Sequence, residues 1–277
     1  MPRTIRTLTA SEVETLVDWA AKEGWNPGIG DAAAFRAADP EGFIGAFVGG
    51  EMLAGISAVA YGPDFGFIGL YICRPDRRGE GHGKAVWDAG MARLGNRIIG
   101  LDGVAEQRAN YQRMGFVPVY ETVRYSRRPA GLPNGGDIRP ITAGDVAGIL
   151  AYDRQCFPAA RETFLGEWLR QPRIALLSAG FGGVAGYGVA RQCREGFKVG
   201  PLFADRSDVA LALAADLAGR VGNEALHIDV PVSQVQFTAM LQAAGMVPGF
   251  TTTRMYKGGK PGNAPSMVFG ITTLELG

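Results

Sequence analysis

The chain has 277 residues, a formal net charge of +1 and a 47% hydrophobic composition. That length accommodates two modest domains with a sizeable core, and the near-neutral charge excludes the strong basic field that nucleic acid or an anionic membrane surface would require. Glycine, at 41 residues, is well above average usage and announces many turns or close backbone approaches.

In chain order, a strand is predicted near Thr4–Thr7, followed by a helix from Ser11 to about Gly24 with Ser11 and Glu14 spaced as a capping box. The loop GWNPGIGD leads to a short helix at Ala32–Ala38 and three strands, FIGAFVGG, EMLAGISAVAYG and FGFIGLYIC, the first two turned through Gly49 and Gly50. The turn DRRGEGHGKAV opens a helix from Gly83 to about Leu94. A strand RIIGLDGV, a helix AEQRANYQRM and a strand FVPVYETVRYS complete the first half.

RPAGLPNGGD then has the composition of a linker. The expected division is residues 1–128, a linker at 129–136, and residues 137–277. The second half repeats the element order of the first, and GFVPVYETVRY from Gly115 aligns without gaps on GMVPGFTTTRM from Gly245. An internal duplication is the reading, with two unrelated α+β domains as its alternative. PSMVFGITTLELG is expected to add a strand closing the sheet of the second half.

Cys73, Cys156 and Cys193 lie far apart without CxxC or Cys/His spacing, so neither a disulfide framework nor a metal site is read. The first residues carry no apolar leader, and the most apolar later run, DVALALAADLAG, is short and holds two aspartates. A cytoplasmic setting is expected, with no membrane and no nucleic-acid partner.

A strand that feeds a glycine-rich turn and then a helix exposes unpaired backbone N–H groups at the positive helix end, which suits an anion such as phosphate. Arg77, Arg78 and Lys84 add charge around it. A magnesium-binding phosphate loop is excluded, because Ala85 follows Lys84 where Ser or Thr is needed. A dinucleotide fingerprint fits poorly: the spacing is G-E-G-H-G, and four strands come before it.

Arg78-Gly79-Glu80-Gly81-His82-Gly83, with LYICRP before it and NYQRMGF after, resembles the acyl-CoA motif of the GCN5-related N-acetyltransferase (GNAT) superfamily. The resemblance covers most of residues 1–130 and extends to tandem members with a divergent second domain. It implies an α+β fold with a mostly antiparallel sheet flanked by helices, and two acyl-CoA N-acyltransferase-like domains. It further implies an acetyl-CoA-dependent N-acetyltransferase acting by direct transfer, a non-catalytic acyl-CoA sensor being the alternative.

By that resemblance the backbone from Arg78 to Lys84 (Arg78, Gly79, Glu80, Gly81, His82, Gly83, Lys84) receives the pyrophosphate of coenzyme A. The strand edge at Ile72 and Cys73 pairs with the pantetheine arm. Tyr111 falls on the family's proton donor, against the alternative of an aromatic simply packing on the sheet. FGFIGLYIC has no Glu for a general base, so Asp102 is the nearest substitute, although it could equally cap the following helix. Val104 stands where the family carries Asn. Trp25, Asn26 and Asp31 are candidates for acceptor contacts.

The His82 side chain is expected to point to solvent, and His227 to be an ordinary strand residue. The second half is expected not to catalyse, since Tyr111 falls on Leu241 and its turn reads RSDVALAL. It would instead contribute pocket walls, with Phe157, Arg161 and Arg254 as candidates. The expected acceptor is a small-molecule amine or a protein amine, and the assembly a monomer or homodimer.

Overall fold

A computed structural model describes residues 2–133 and 135–277; Met1, at the start of the first half, and Asn134, within the linker, lie outside the described residues. The first half runs β1 (Arg3–Thr7), α1 (Ala10–Lys22), α2 (Asp31–Ala38), β2 (Phe43–Val48), β3 (Glu51–Tyr61), β4 (Phe65–Cys73), α3 (His82–Leu94), β5 (Ile98–Val104), α4 (Arg108–Arg113) and β6 (Val117–Arg127). The second half repeats it: β7 (Ile138–Pro140), α5 (Val146–Cys156), α6 (Glu162–Trp168), β8 (Ile174–Gly180), β9 (Gly183–Gln192), β10 (Phe197–Ala204), α7 (Ser207–Arg220), β11 (Leu226–Pro231), α8 (Val235–Ala243), β12 (Val247–Lys257) and β13 (Val268–Gly270).

Hydrophobic periodicity located these elements, and local chemistry sets their ends. The α1 capping box belongs to Thr9 and Glu12, two residues ahead of Ser11 and Glu14: the Thr9 side chain accepts from the Glu12 N–H, and Glu12 accepts from the Thr9 N–H at 2.8 Å. Gly49 and Gly50 both adopt positive φ, 61° and 85°, as a tight hairpin turn between β2 and β3 requires.

The strands form one sheet in the order β1-β2-β3-β4-β5-β12-β6-β11-β10-β9-β8-β7, with β13 paired to β10. Most neighbours are antiparallel; β4–β5 and β10–β11 are parallel. The halves exchange their last long strands: β12 inserts beside β5, and β6 lies beside β11. Thr122 pairs with Thr252, its own equivalent in the repeat, so a pseudo-two-fold axis passes between β6 and β12 at these threonines.

This exchange is clipped by two buried ion pairs. Arg124 on β6 reaches Asp229 on β11 at 2.7 and 3.0 Å, and Arg254 on β12 reaches Asp102 on β5 at 2.8 and 2.8 Å. Arg124 and Arg254 are the same position of the repeated segment. Burial alone would lower the Arg254 pKa, but Asp102 opposite, with Tyr120 and Tyr256, pushes it well above its ordinary value. Arg254 is thus a strand clip rather than a pocket wall.

One face of the sheet is covered by α1, α2, α5 and α6, which share a single core across both halves; Phe35 of α2 stacks on Trp168 of α6 with centroids 6.1 Å apart. Phe157 joins this core against Tyr61 and Phe65, and Arg161 is buried in a bidentate pair with Asp153, so neither lines the opening beside β4 where an acceptor would sit. The opposite face carries α3 and α4 in the first half and α7 and α8 in the second.

Both parallel pairs come apart part-way along, with different consequences. β4 and β5 pair only from Phe65–Ile98 to Ile68–Leu101; beyond that, β5 stays paired to β12 along its other edge as far as Val104, and among the described residues Gly69–Cys73 has no strand paired to it on that edge. β10 and β11 pair from Phe197–Leu226 to Val199–Ile228, and β13 then fills the opening by pairing with Leu202 and Phe203. The addition of this strand to the sheet of the second half was legible in the sequence. Gly200 has no room for a Cβ because the Ile271 and Thr272 carbonyls occupy that space.

Candidate functional site

The opening between β4 and β5 is a cavity of about 460 Å³, lined along one side by Gly69–Cys73 and reaching Arg78, Asp102, Val104 and Tyr111. Leu70 is held at φ 46°, a conformation that only the surrounding packing can sustain in a non-glycine residue. Its neighbour Gly69 lies against the Glu275 backbone.

The glycine turn stands beside the cavity's Arg78 end. Gly79 and Gly81 adopt φ 85° and 80°, and Gly81 precedes the first turn of α3 without a side-chain cap. The third glycine serves packing instead: a Cβ on Gly83 would lie 3.1 Å from the Tyr71 hydroxyl, tighter than ordinary contact. The first helical hydrogen bond of α3 is donated by Ala85 to Gly81 O, so the amides before it have no partner within the helix.

Cations around this turn are paired with acids: Arg78 with Glu23 at 2.6 Å, Arg77 with Glu80 at 3.4 Å, and Lys84 with Asp88 at 2.5 Å. Arg3 adds one that sequence reading missed, donating to Gly81 O at 2.7 Å. The His82 side chain is buried rather than solvent-facing, 3.2 Å from Glu80. Cys73 is a partly buried thiol whose pKa is pushed up by burial.

Tyr111 projects from α4 into the cavity. Its ring stacks on Trp87 at 5.6 Å and packs edge-on against Phe116 at 6.3 Å. Gly103 makes room for it: a Cβ there would approach the Tyr111 ring to 2.9 Å. Burial, with Tyr71 adding to it, pushes the phenol up to about 12, so it stays protonated at neutral pH.

The other polar candidates divide. Asp102 lines the cavity, where burial raises its pKa and Arg254 opposes the rise. Both its oxygens are taken by Arg254, so an ion pair and not a free base stands at the position assigned to the general base; it does not cap α4 either. Trp25 lines the cavity, and its carbonyl accepts from Lys198 at 2.8 Å and Arg124 at 3.3 Å. Asn26 instead docks on the second half, exchanging hydrogen bonds with the Glu195 backbone at 2.9 and 3.2 Å.

Asp31 is fully buried and paired with Arg191 at 3.0 Å and Arg173 at 3.5 Å. Neither Asn26 nor Asp31 belongs to the cavity lining. A carboxylate assigned to an acceptor is therefore a joint between the halves at the start of α2, because its partners lie some 140 to 160 residues later in the chain.

Among the walls that sequence reading missed, four come from beyond residue 245: Phe250, Thr252, Leu274 and Glu275. The β12 repeat hinted at the first two, since the segment that repeats is the one exchanged. No pattern singled out Glu275, an isolated acid in an apolar run. Among the described residues no cluster of potential metal ligands occurs, and no helix is long and apolar enough to cross a membrane.

This constellation has known counterparts. Residues 10–116 match the description Acetyltransferase (GNAT) family, and residues 149–270 match Acetyltransferase (GNAT) domain. A holothin acyltransferase from Pseudoalteromonas sp. (strain SANK 73390) is 30% identical over 280 residues, covering 99% of this chain and 94% of that protein. In fold, the chain is similar to a protein of Pyrococcus horikoshii with a TM-score of 0.82 and 21% identity, covering 99% and 96% of the two chains. It is also similar to a tandem GNAT protein from the clavulanic acid biosynthesis pathway, with a TM-score of 0.62 and 14% identity over 94% and 100% of the chains. The chain belongs to the GNAT superfamily and carries two GNAT domains in tandem. It is an acyltransferase of that family, whose enzymes draw on acyl-CoA.

Proposed function

We propose that the first half transfers an acetyl group from acetyl-CoA directly to the primary amine of a small molecule, while the second half serves as wall and support. The carrying observation is the unpaired edge of β4 from Gly69 to Cys73, open between the glycine turn and Tyr111, while the matching opening of the second half is filled by β13. Residues 1–128 and 137–277 are the two domains by sequence, joined by 129–136, each completed by the other's last long strand.

In this reading the amides from Arg78 to Lys84 take the pyrophosphate, with Arg78 released from Glu23 toward it. The backbone edge at Ile72 and Cys73 pairs with the pantetheine arm as an added strand would. The amine attacks the thioester carbonyl carbon, the C–N bond forms as the C–S bond breaks, and Tyr111 protonates the departing thiolate. Trp25, Phe250 and Leu274 bound the acceptor side, which supports a compact, largely apolar acceptor over a protein chain. The name of the holothin acyltransferase relative supports a small-molecule amine as well.

The test measures free thiol release from acetyl-CoA and from longer acyl-CoA thioesters, with holothin and a panel of small primary amines. Acceptor-dependent release, fastest with acetyl-CoA, is expected; release independent of any amine would overturn the reading. The loop has its own test. Alanine at Gly81 must adopt φ 80° at a cost of about 1–2 kcal/mol. As the loop relaxes, coenzyme A affinity is expected to fall roughly 5–30-fold by calorimetry. Unchanged affinity would remove the turn from the binding site.

A further inference from the structure

We propose that Glu275 receives the acceptor's ammonium group and takes its proton, giving the transfer site a base supplied by the far end of the second domain. This rests on the acyl-transfer reading above.

The segment carrying Glu275 threads both halves. β13 fills the opening of the second half, and the Ile271 N–H donates to Asp229 O at 3.0 Å. Arg161 donates to the Thr272 hydroxyl at 2.9 Å and Arg191 to the Thr272 carbonyl at 3.4 Å. The chain then enters the first half, where Ser57 donates to Glu275 O at 3.3 Å and Tyr61 to Leu276 O at 3.2 Å. Gly69, the first β4 residue beyond the paired stretch, lies against the Glu275 backbone with no room for a Cβ. Glu275 is thereby fixed where β4 and β5 part, within the cavity that Tyr111 also enters.

Its carboxylate is in an unusual position. Glu275 is 2% exposed, and among the described residues neither of its oxygens has a hydrogen-bond partner. The buried acids around it are committed: Asp102 to Arg254, Asp229 to Arg124, and Asp31 to Arg191 and Arg173. A buried carboxylate with two idle oxygens is costly unless something fills them. A ligand cation entering the cavity satisfies both oxygens, and a primary ammonium offers three donors. The Thr252 hydroxyl, also buried without a partner on the cavity wall, is available to a second polar group of the same ligand.

The proton balance closes. Glu275 takes one proton from the ammonium, and the freed amine attacks the thioester. The nitrogen loses its second proton as the amide forms, Tyr111 protonates sulfur and is reprotonated, and one proton in net goes to solvent. The charged and titratable groups facing this space are Glu23, Tyr71, Cys73, Arg78, Asp102, Glu106 and Tyr111 on the cavity, with Arg124, Arg191 and Lys198 close enough for the Glu275 charge to act on them.

The test uses the intact chain with coenzyme A bound, and two probes of one shape: benzylamine, cationic at pH 7, and neutral benzyl alcohol. Wild type is expected to favour benzylamine by about tenfold or more in calorimetry. Glu275→Gln is expected to erase that preference while keeping coenzyme A affinity and the melting midpoint, and Glu275→Asp to restore part of it. With any amine that turns over, Glu275→Gln should also cut kcat/KM by roughly 100-fold, with Glu275→Asp recovering part of it. No preference in wild type, or a preference that survives in Glu275→Gln, overturns the proposal. So does a variant that loses only stability, since that marks the carboxylate as a counter-charge for Arg124, Arg191 and Lys198. Failure of wild type to bind coenzyme A would instead strike the acyl-transfer reading itself.

Discussion

Tyr111→Phe is expected to lower kcat by roughly 10²–10⁴-fold, the usual contribution of a positioned proton donor. Coenzyme A affinity should stay within about twofold, because the ring that packs on Trp87 and Phe116 is retained and only the hydroxyl is lost. The phenol is suited to donation because burial holds it protonated, its pKa pushed up to about 12. For the same reason Tyr111 should contribute no alkaline decline in rate below roughly pH 11. Steady-state kinetics of thiol release, with kcat and KM separated, reads both effects. A kcat within about twofold of wild type would leave Tyr111 as a packing residue and require another donor.

Arg254→Ala is expected to destabilise the fold by about 3–5 kcal/mol, the cost of stranding one partner of a buried ion pair. Asp102, with its side chain fully buried, would lose both guanidinium hydrogen bonds and the charge that opposes the upward push of burial on its pKa, so it must be buried unpaired or take up a proton. For a chain of this size that corresponds to a fall in Tm of roughly 6–20 °C. The double variant Asp102→Leu with Arg254→Met should recover most of it, because a well-packed apolar pair can replace a buried ion pair at little cost. Differential scanning calorimetry decides: a shift below about 2 °C for Arg254→Ala would show that the clip does not hold the exchanged strands.

Much of this architecture is legible in the sequence because hydrophobic period, glycine turns and breaker segments are local signals. Partner choice between strands is not local. VPVYETVRYSR and VPGFTTTRMYK read as the same strand twice, and nothing within either says that it will sit in the other half. The one trace is the shared arginine: Arg124 and Arg254 repeat because each must meet an aspartate across the exchange.

Site legibility divides along the same line. The glycine turn and Tyr111 belong to short motifs whose geometry follows from adjacent residues, and the cavity brings Ile72, Cys73, Arg78 and Tyr111 together. Asn26, Asp31 and Asp102 are polar residues whose meaning depends on partners more than 140 residues away, in Glu195, Arg191 and Arg254. A carboxylate free to act and one consumed by a guanidinium look identical in sequence. Glu275 is the converse case, an acid without neighbouring signals that the path of the chain carries into the site.

The most direct measurement is a calorimetric titration of the intact chain with coenzyme A, read for stoichiometry. Binding at one site per chain is expected, because β4 stands open to a pantetheine strand in the first half and β13 already occupies the equivalent edge of β10. Two sites per chain would contradict a filled second half, and no binding would contradict the open strand edge as an acyl-CoA site.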